Sequence, residues 1–197
     1  MDLSKGFEII KFSRSLPSNT LENLYKLNQE NTPEVGSIKS YESFASLLVK
    51  SSVNLLIEHK KQPIGFIICF RENSEYESLN YKYFDKKKEK FLYIDRVVIK
   101  SHYRRMGLGT RVYNYLDELA AKELLPICCE VNSIPLNQIS LNFHTKNGFR
   151  EVGERDFKDH SVKYLMKYST SCINAMAVSY THLRAHETLR YLVCRLL

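Results

Sequence analysis

Hydrophobic positions along the chain fall into short clusters that switch between a period of two and a period near 3.6, and the switches lay out its elements. Residues 7–12 mix Phe and Ile with Lys and predict a strand. Pro17-Ser18-Asn19-Thr20 offers a helix start, with Leu21, Leu24, Tyr25 and Leu27 at near-helical spacing, and Asn31-Thr32-Pro33 stops it. Tyr41, Phe44, Ala45, Leu47 and Leu48 form the apolar face of a second helix. Residues 53–58 and 64–70 are β-rich runs joined by a polar turn at 59–63, which predicts a hairpin. A strand dense in Ile and Val spans 91–100. The helix over 107–123 aligns Leu108, Val112, Tyr115, Leu116 and Leu119. A strand over 126–132, a shorter helix over 137–146 and strands over 149–154 and 162–166 complete the pattern. The order β-α-α-β-β-β-α-β-α-β-β predicts an α/β domain with a mixed sheet.

Two stretches fall outside this rhythm. Residues 72–90 are long, polar and rich in Tyr; a loop of that length inside a compact domain is usually functional or disordered. Residues 169–197 do not continue the alternation. The segment from Val178 to Thr188 and the ending at Leu197 resemble translated sequencing-adapter sequence, so a domain over 1–168 and a non-native or unstructured tail over 169–197 are expected. The competing reading is a C-terminal helix, because Leu189, Leu192, Val193, Leu196 and Leu197 fall at helical spacing.

Composition narrows the class. With 197 residues, 44% hydrophobic and 26% charged, the chain has the apolar content for one core and little room for two. Its longest apolar run, residues 64–70, is far short of a membrane span, so no membrane partner is expected. The net charge of +7 suits polyanionic partners, yet no zinc-finger, RNP or helix-turn-helix pattern supports nucleic acid. Lys86, Lys87, Lys88 and Lys90 alternate with Asp85 and Glu89 and read as a solvated surface. No apolar leader opens the chain, and its five Cys form no C-x-x-C pair. A reducing cytoplasm is expected, with neither zinc site nor disulfide framework.

The sharpest chemical signal runs from Ile99 to Gly109. A β-branched strand passes through the short basic loop Lys100 to Met106 and enters an amphipathic helix. Gly107 and Gly109 remove side chains where the backbone turns into the first helical turn, whose unpaired N–H groups and dipole favour an anion. Arg104 and Arg105 add charge, and the construction suits a pyrophosphate. No G-K-[ST] follows, and the full G-x-G-x-x-G is absent. A second pattern lies downstream: Asn137, Ser140, Phe143, His144, Gly148 and Phe149.

Together the two motifs resemble the GNAT superfamily of acyl-CoA-dependent N-acyltransferases, over about residues 7–168. The stretch from Phe91 to Val98, with Cys129-Glu130-Val131-Asn132, also looks like a bacterial-type branch without an assigned acceptor. The resemblance implies a mostly antiparallel central sheet, splayed at the cofactor strand, with helices on both faces. It implies acetyl-CoA as cosubstrate, no metal, and direct attack of a free amine on the acetyl thioester. Val97, Val98 and Ile99 would pair with the pantetheine arm, with a backbone N–H of Val98 or Ile99 as oxyanion donor. Arg104, Arg105, Met106, Gly107, Leu108 and Gly109 would hold the pyrophosphate, and Asn137 would lie near the pantetheine.

The chemistry needs a base for the amine and can use an acid for the departing thiolate. Glu130 is the candidate base, sharing a strand face with Cys128 and Asn132; a carboxylate paired with a neighbouring cation is the other reading. Asp95 is the second candidate, equally able to pair with Arg96 or Arg150. At the acid position, usually Tyr in the superfamily, stands His144, which could also be a hydrogen-bonded helix histidine. Tyr81 or Tyr83 could substitute. Cys128 and Cys129 read as buried hydrophobes rather than nucleophiles. The acceptor, an amine-bearing small molecule or peptide, would sit between residues 28–38 and 72–90, where Glu30 and Glu34 could attract a cation. A catalytically weak acetyl-CoA-binding module is the alternative function, and a homodimer stays open.

Overall fold

The computed structural model describes residues 6–12, 16–32 and 34–168. The elements run β1 (Phe7–Phe12), α1 (Ser18–Gln29), α2 (Tyr41–Lys50), β2 (Val53–His59), β3 (Gln62–Arg71), α3 (Leu79–Asp85), β4 (Leu92–Ile99), α4 (Leu108–Lys122), β5 (Pro126–Ile134), α5 (Gln138–Lys146), β6 (Arg150–Asp156) and β7 (Ser161–Tyr168). A single 3-10 turn, Ser101–Tyr103, joins β4 to the approach of α4. The seven strands form one sheet in the order β1-β2-β3-β4-β5-β7-β6, antiparallel throughout except between β4 and β5. The expected tail and the proposed start of the domain at residue 1 lie outside the described residues.

Two cores form because the central strands are buried on both faces, and alternation sends odd and even residues to opposite sides. On one face Ile67, Cys69, Ile94, Ile127, Cys129 and Val131 pack beneath Val112, Tyr113 and Leu116 of α4. On the other, Phe66, Ile68, Phe70, Tyr93, Cys128 and Tyr164 pack against Leu24 and Leu27 of α1, Phe44 and Leu48 of α2, and Tyr81 and Phe84 of α3. Helices therefore cover both faces, as the resemblance implied.

Residues 72–90 differ from the expected loop: they contain α3. Ser78 caps this helix by accepting from the Tyr81 N–H at 3.3 Å, and Tyr81 and Phe84, one turn apart, are buried. Seven residues, two turns, are too few for helical periodicity to reveal. The hairpin is also tighter than expected. Lys60 and Lys61 take positive φ values of 50° and 61° in a two-residue turn, so the second strand starts at Gln62 and includes Pro63.

Two irregularities shape the centre of the sheet. Strands β4 and β5 pair only at Leu92↔Ile127 and Tyr93↔Cys128, and then splay apart. On the other side of β4, Ile68 opposes Arg96 and Cys69 opposes Ile94, which leaves Asp95 as the extra residue of a β-bulge. Unbroken alternation would send Arg96 to the side of Leu92 and Ile94, into the core beneath α4. The bulge instead turns Arg96 to the opposite face, beside Asp95.

Candidate functional site

The splay exposes one edge of β4 beyond Tyr93. Lys100 donates its N–H to Ile64 O on β3 at 2.9 Å, so by alternation Val98 also turns toward β3, while Val97 and Ile99 turn their N–H groups into the gap. Of the two N–H groups expected to serve the oxyanion, that of Ile99 faces the gap and that of Val98 does not; that of Val97 faces the gap as well. Val98 contributes a buried side chain to the core facing α1 and α2.

Beyond the 3-10 turn, Arg105 adopts φ 62° and Gly107 φ 78°, and Gly107 opens α4 with no side-chain cap. The first-turn N–H groups of α4 are thus left for an external acceptor. Nothing lies within 4 Å of where a Cβ on Gly107 would sit, whereas one on Gly109 would meet the Phe143 ring at 3.2 Å. Gly107 therefore serves backbone conformation and Gly109 the close seating of α4 on α5. Met106 packs partly against the core beneath α4. Arg104 is committed to the protein: its Nε donates to Ile99 O at 3.0 Å and its Nη2 to Asn31 Oδ1. Asn137 caps α5, its Oδ1 accepting from the Ser140 N–H at 3.1 Å.

Across the gap, β5 places Cys128 on one face and Cys129 and Val131 on the other, so Glu130 shares the side of Cys128. Tyr93 donates to Glu130 Oε2 at 2.7 Å, and Asn80, on the first turn of α3, donates to Oε1 at 3.2 Å. Tyr164 donates to Asn80 Oδ1 at 3.1 Å and holds that amide in orientation. Burial pushes the Glu130 carboxyl up to about 7; Asp95 adds to the rise, and the hydrogen bonds from Tyr93 and Asn80 oppose it. Asp95 itself accepts from Tyr76 at 2.6 Å and from Arg96 Nε at 2.6 Å. The ion-pair reading of Asp95 with Arg96 is the one found.

His144 lies on the opposite side of the sheet, among Tyr113, Phe143 and Phe149. Its Nδ1 faces Ser140 O at 2.8 Å and its Nε2 the Tyr113 hydroxyl at 2.7 Å. Burial lowers its pKa. Such a ring is neutral, with Nδ1–H donating to Ser140 O and Nε2 accepting from Tyr113. Neither substitute tyrosine is free: Tyr81 donates to Arg71 O at 2.8 Å, and Tyr83 donates to Val152 O at 2.7 Å while stacking on Tyr164. Cys128 is fully buried with its thiol pushed up to about 12, on the face away from His144. Cys129 shares the His144 face, but burial raises its thiol too and both ring nitrogens of His144 are taken by Tyr113 and Ser140, so neither cysteine is paired with it. Glu30 and Glu34 are exposed. Among the described residues no group of His, Cys, Asp and Glu could hold a metal, and no helix is long and apolar enough to cross a membrane.

The sequence profile of the Acetyltransferase (GNAT) family matches residues 21–149. The chain belongs to the GNAT acetyltransferase family. No curated protein matches it, but solved structures share the GNAT fold. The ribosomal-protein-S18-alanine N-acetyltransferase from Escherichia coli is 16% identical, with a TM-score of 0.59 over 82% of this chain and 94% of that one. NAA60 from Arabidopsis thaliana, solved with acetyl-CoA, is 16% identical, with a TM-score of 0.61 over 82% and 99%. An N-acetyltransferase from Staphylococcus aureus Mu50 is 11% identical, with a TM-score of 0.61 over 82% and 97%. A GNAT enzyme takes its acetyl group from acetyl-CoA, and the splayed strand and uncapped α4 terminus fit that cosubstrate. Four residues at this site escaped the sequence reading as functional groups: Tyr76, Asn80, Tyr93 and Arg96. Of these only Arg96 carried a signal, as a residue the sequence offered for pairing with Asp95; the side taken by Tyr93 depends on a strand register that the sequence does not mark.

Proposed function

We propose that the protein is an N-acetyltransferase that moves the acetyl group of acetyl-CoA directly to a primary amine of a small-molecule or peptide acceptor, with Glu130 as the base. The observation that carries this reading is Glu130 itself. A carboxyl beside the splay, held by Tyr93 and Asn80 and poised at about 7, can take a proton from an ammonium group near neutral pH.

When bound, acetyl-CoA supplies the activated carbonyl. Val97 and Ile99 would direct N–H groups at its oxygen, and the N–H groups of Gly107, Leu108 and Gly109, with Arg105 nearby, would hold the pyrophosphate. Asn137, spent on capping, would shape the end of β5 rather than bind through Oδ1. His144 is assigned to fixing the Tyr113 hydroxyl, and the departing sulfur takes its proton from solvent. The engaged ring of His144 favours one second reading, an acetyl-CoA-binding module with weak turnover.

Calorimetric titration with acetyl-CoA, followed by assay of CoA release over a panel of amines, tests both. Saturable binding with amine-dependent release, lost in Glu130→Gln at unchanged acetyl-CoA affinity, supports the enzyme. Binding without release supports the module, and absence of binding overturns both.

A further inference from the structure

We infer that Asp95 is a positioning residue for the base: seated by the β4 bulge on the side of the sheet that carries Glu130, and pinned there by Arg96 and Tyr76, its charge adds to burial in raising the pH at which Glu130 gives up its proton. The kinetic part of this inference rests on Glu130 being the base; the electrostatic part does not.

The geometry begins with the bulge. Consecutive residues of a regular strand point to opposite faces, so an Asp–Arg neighbour pair cannot ordinarily meet. Here the extra residue brings both side chains to one face, where Arg96 Nε lies 2.6 Å from Asp95 Oδ2. Arg96 is then fixed from behind, donating through Nη1 to Asn28 Oδ1 at 2.7 Å and to Gly36 O at 3.1 Å. Tyr76 closes the other oxygen of Asp95 and is itself stacked on Phe70 at 4.1 Å. Each oxygen of the carboxylate is thus held by one hydrogen bond on the Glu130 side of the sheet.

Around Glu130 the charged and titratable groups are few. Strand β4 supplies Tyr93, Asp95 and Arg96; the β3–β4 connection supplies Tyr76 and the neutral amide of Asn80; β7 supplies Tyr164, with Arg155 of β6 behind it. Burial holds the hydroxyls of Tyr76, Tyr93 and Tyr164 above their ordinary value, so none ionises near neutrality. Of the two guanidiniums, Arg96 is bonded to Asp95 and Arg155 lies beyond Tyr164. Glu130 is left facing a fixed negative neighbour, which favours its protonated form. The same arrangement makes Asp95 the weaker rival as base, since its charge is spent on the ion pair with Arg96, whereas the partners of Glu130 are the neutral Tyr93 and Asn80.

Glu130 can be titrated without turnover, as the difference in Tm between a given background and that background carrying Glu130→Gln, followed from about pH 5 to pH 9. In the parent the difference should level off at about pH 7, and that levelling-off point marks the folded-state titration midpoint of Glu130. Asp95→Asn removes the neighbouring charge and leaves Arg96 uncompensated, so the midpoint should fall by about one unit or more. Tyr76→Phe keeps the ring stack and deletes the hydroxyl that damps Asp95, so the midpoint should rise by a fraction of a unit. A merely structural role would not produce shifts of opposite sign. If Asp95→Asn does not fold, Tyr76→Phe still decides. Unmoved midpoints overturn the inference. The pH profile of kcat/KM for CoA release, with butylamine as the probe acceptor, should move with these midpoints. Midpoints that move while kinetics stay put support the electrostatic inference and overturn Glu130 as the base.

Discussion

Replacing Glu130 by Gln should make the protein more stable in alkaline solution, though the change removes the residue proposed to do the chemistry. The carboxyl titrates at about 7 in the folded protein, against 4.5 ordinarily. Because the folded state holds the proton more tightly than the unfolded chain, stability is intact below about pH 4.5, declines as pH rises, and is lowest above about pH 7. A difference of about 2.5 units corresponds to roughly 3 kcal/mol. Gln never ionises and escapes that loss, but its amide gives Tyr93 a donor where it had an acceptor, so the Tyr93 hydroxyl must turn. That offsets about 1 kcal/mol. The net gain of about 2 kcal/mol corresponds to about 4–8 °C in Tm for a domain of this size. Thermal melts of both proteins in matched buffers, at pH 5 and at pH 8.5, measure it. The variant should gain little or lose slightly at the lower pH and gain several degrees at the higher. Equal Tm differences at the two pH values would refute a half-buried, proton-retaining Glu130.

Gly109→Val should lower acetyl-CoA affinity about tenfold or more by calorimetry, because a Cβ there already meets the Phe143 ring at 3.2 Å and a larger group must unseat α4 from α5. Gly65→Ala should cost about 2–4 kcal/mol in denaturant melts, since its Cβ would lie 2.5 Å from Val98 O and 3.3 Å from Ile99 Cα, backbone atoms that cannot step aside cheaply. The His144 ring should be found by nitrogen-detected NMR at pH 7 as the neutral Nδ1–H tautomer. An imidazolium there would contradict its burial and return it to the role of acid.

Regular alternation made much of this legible. The faces of β3 and β5 followed from counting by two, so Glu130 could be put on the side of Cys128 before any coordinates, and the Gly107–Gly109 spacing announced the start of α4. What escaped were features that break the count. The bulge at Asp95 has no sequence mark, yet it decides which side Arg96 occupies and thus what Asp95 can bond. Helix α3 was hidden because its partners are distant in sequence: Asn80 meets Glu130 and Tyr164, and Tyr83 meets Val152. Its burial comes from tertiary packing, not from its own seven residues. His144 shows a third kind of gap: sequence position named it, but only its surroundings reveal that both ring nitrogens are engaged.

The splay also gives β4 two different edges along a single stretch. Toward β3 the backbone of Val98 and Lys100 is locked into an antiparallel ladder; toward β5 that of Val97 and Ile99 has no neighbouring strand. Amide deuterium uptake should therefore alternate residue by residue, fast at Val97 and Ile99 and slow at Val98 and Lys100, within a segment of uniform secondary structure. A bound pantetheine chain would complete the ladder and erase the alternation, so four consecutive amides would report occupancy of the site before any acceptor is known.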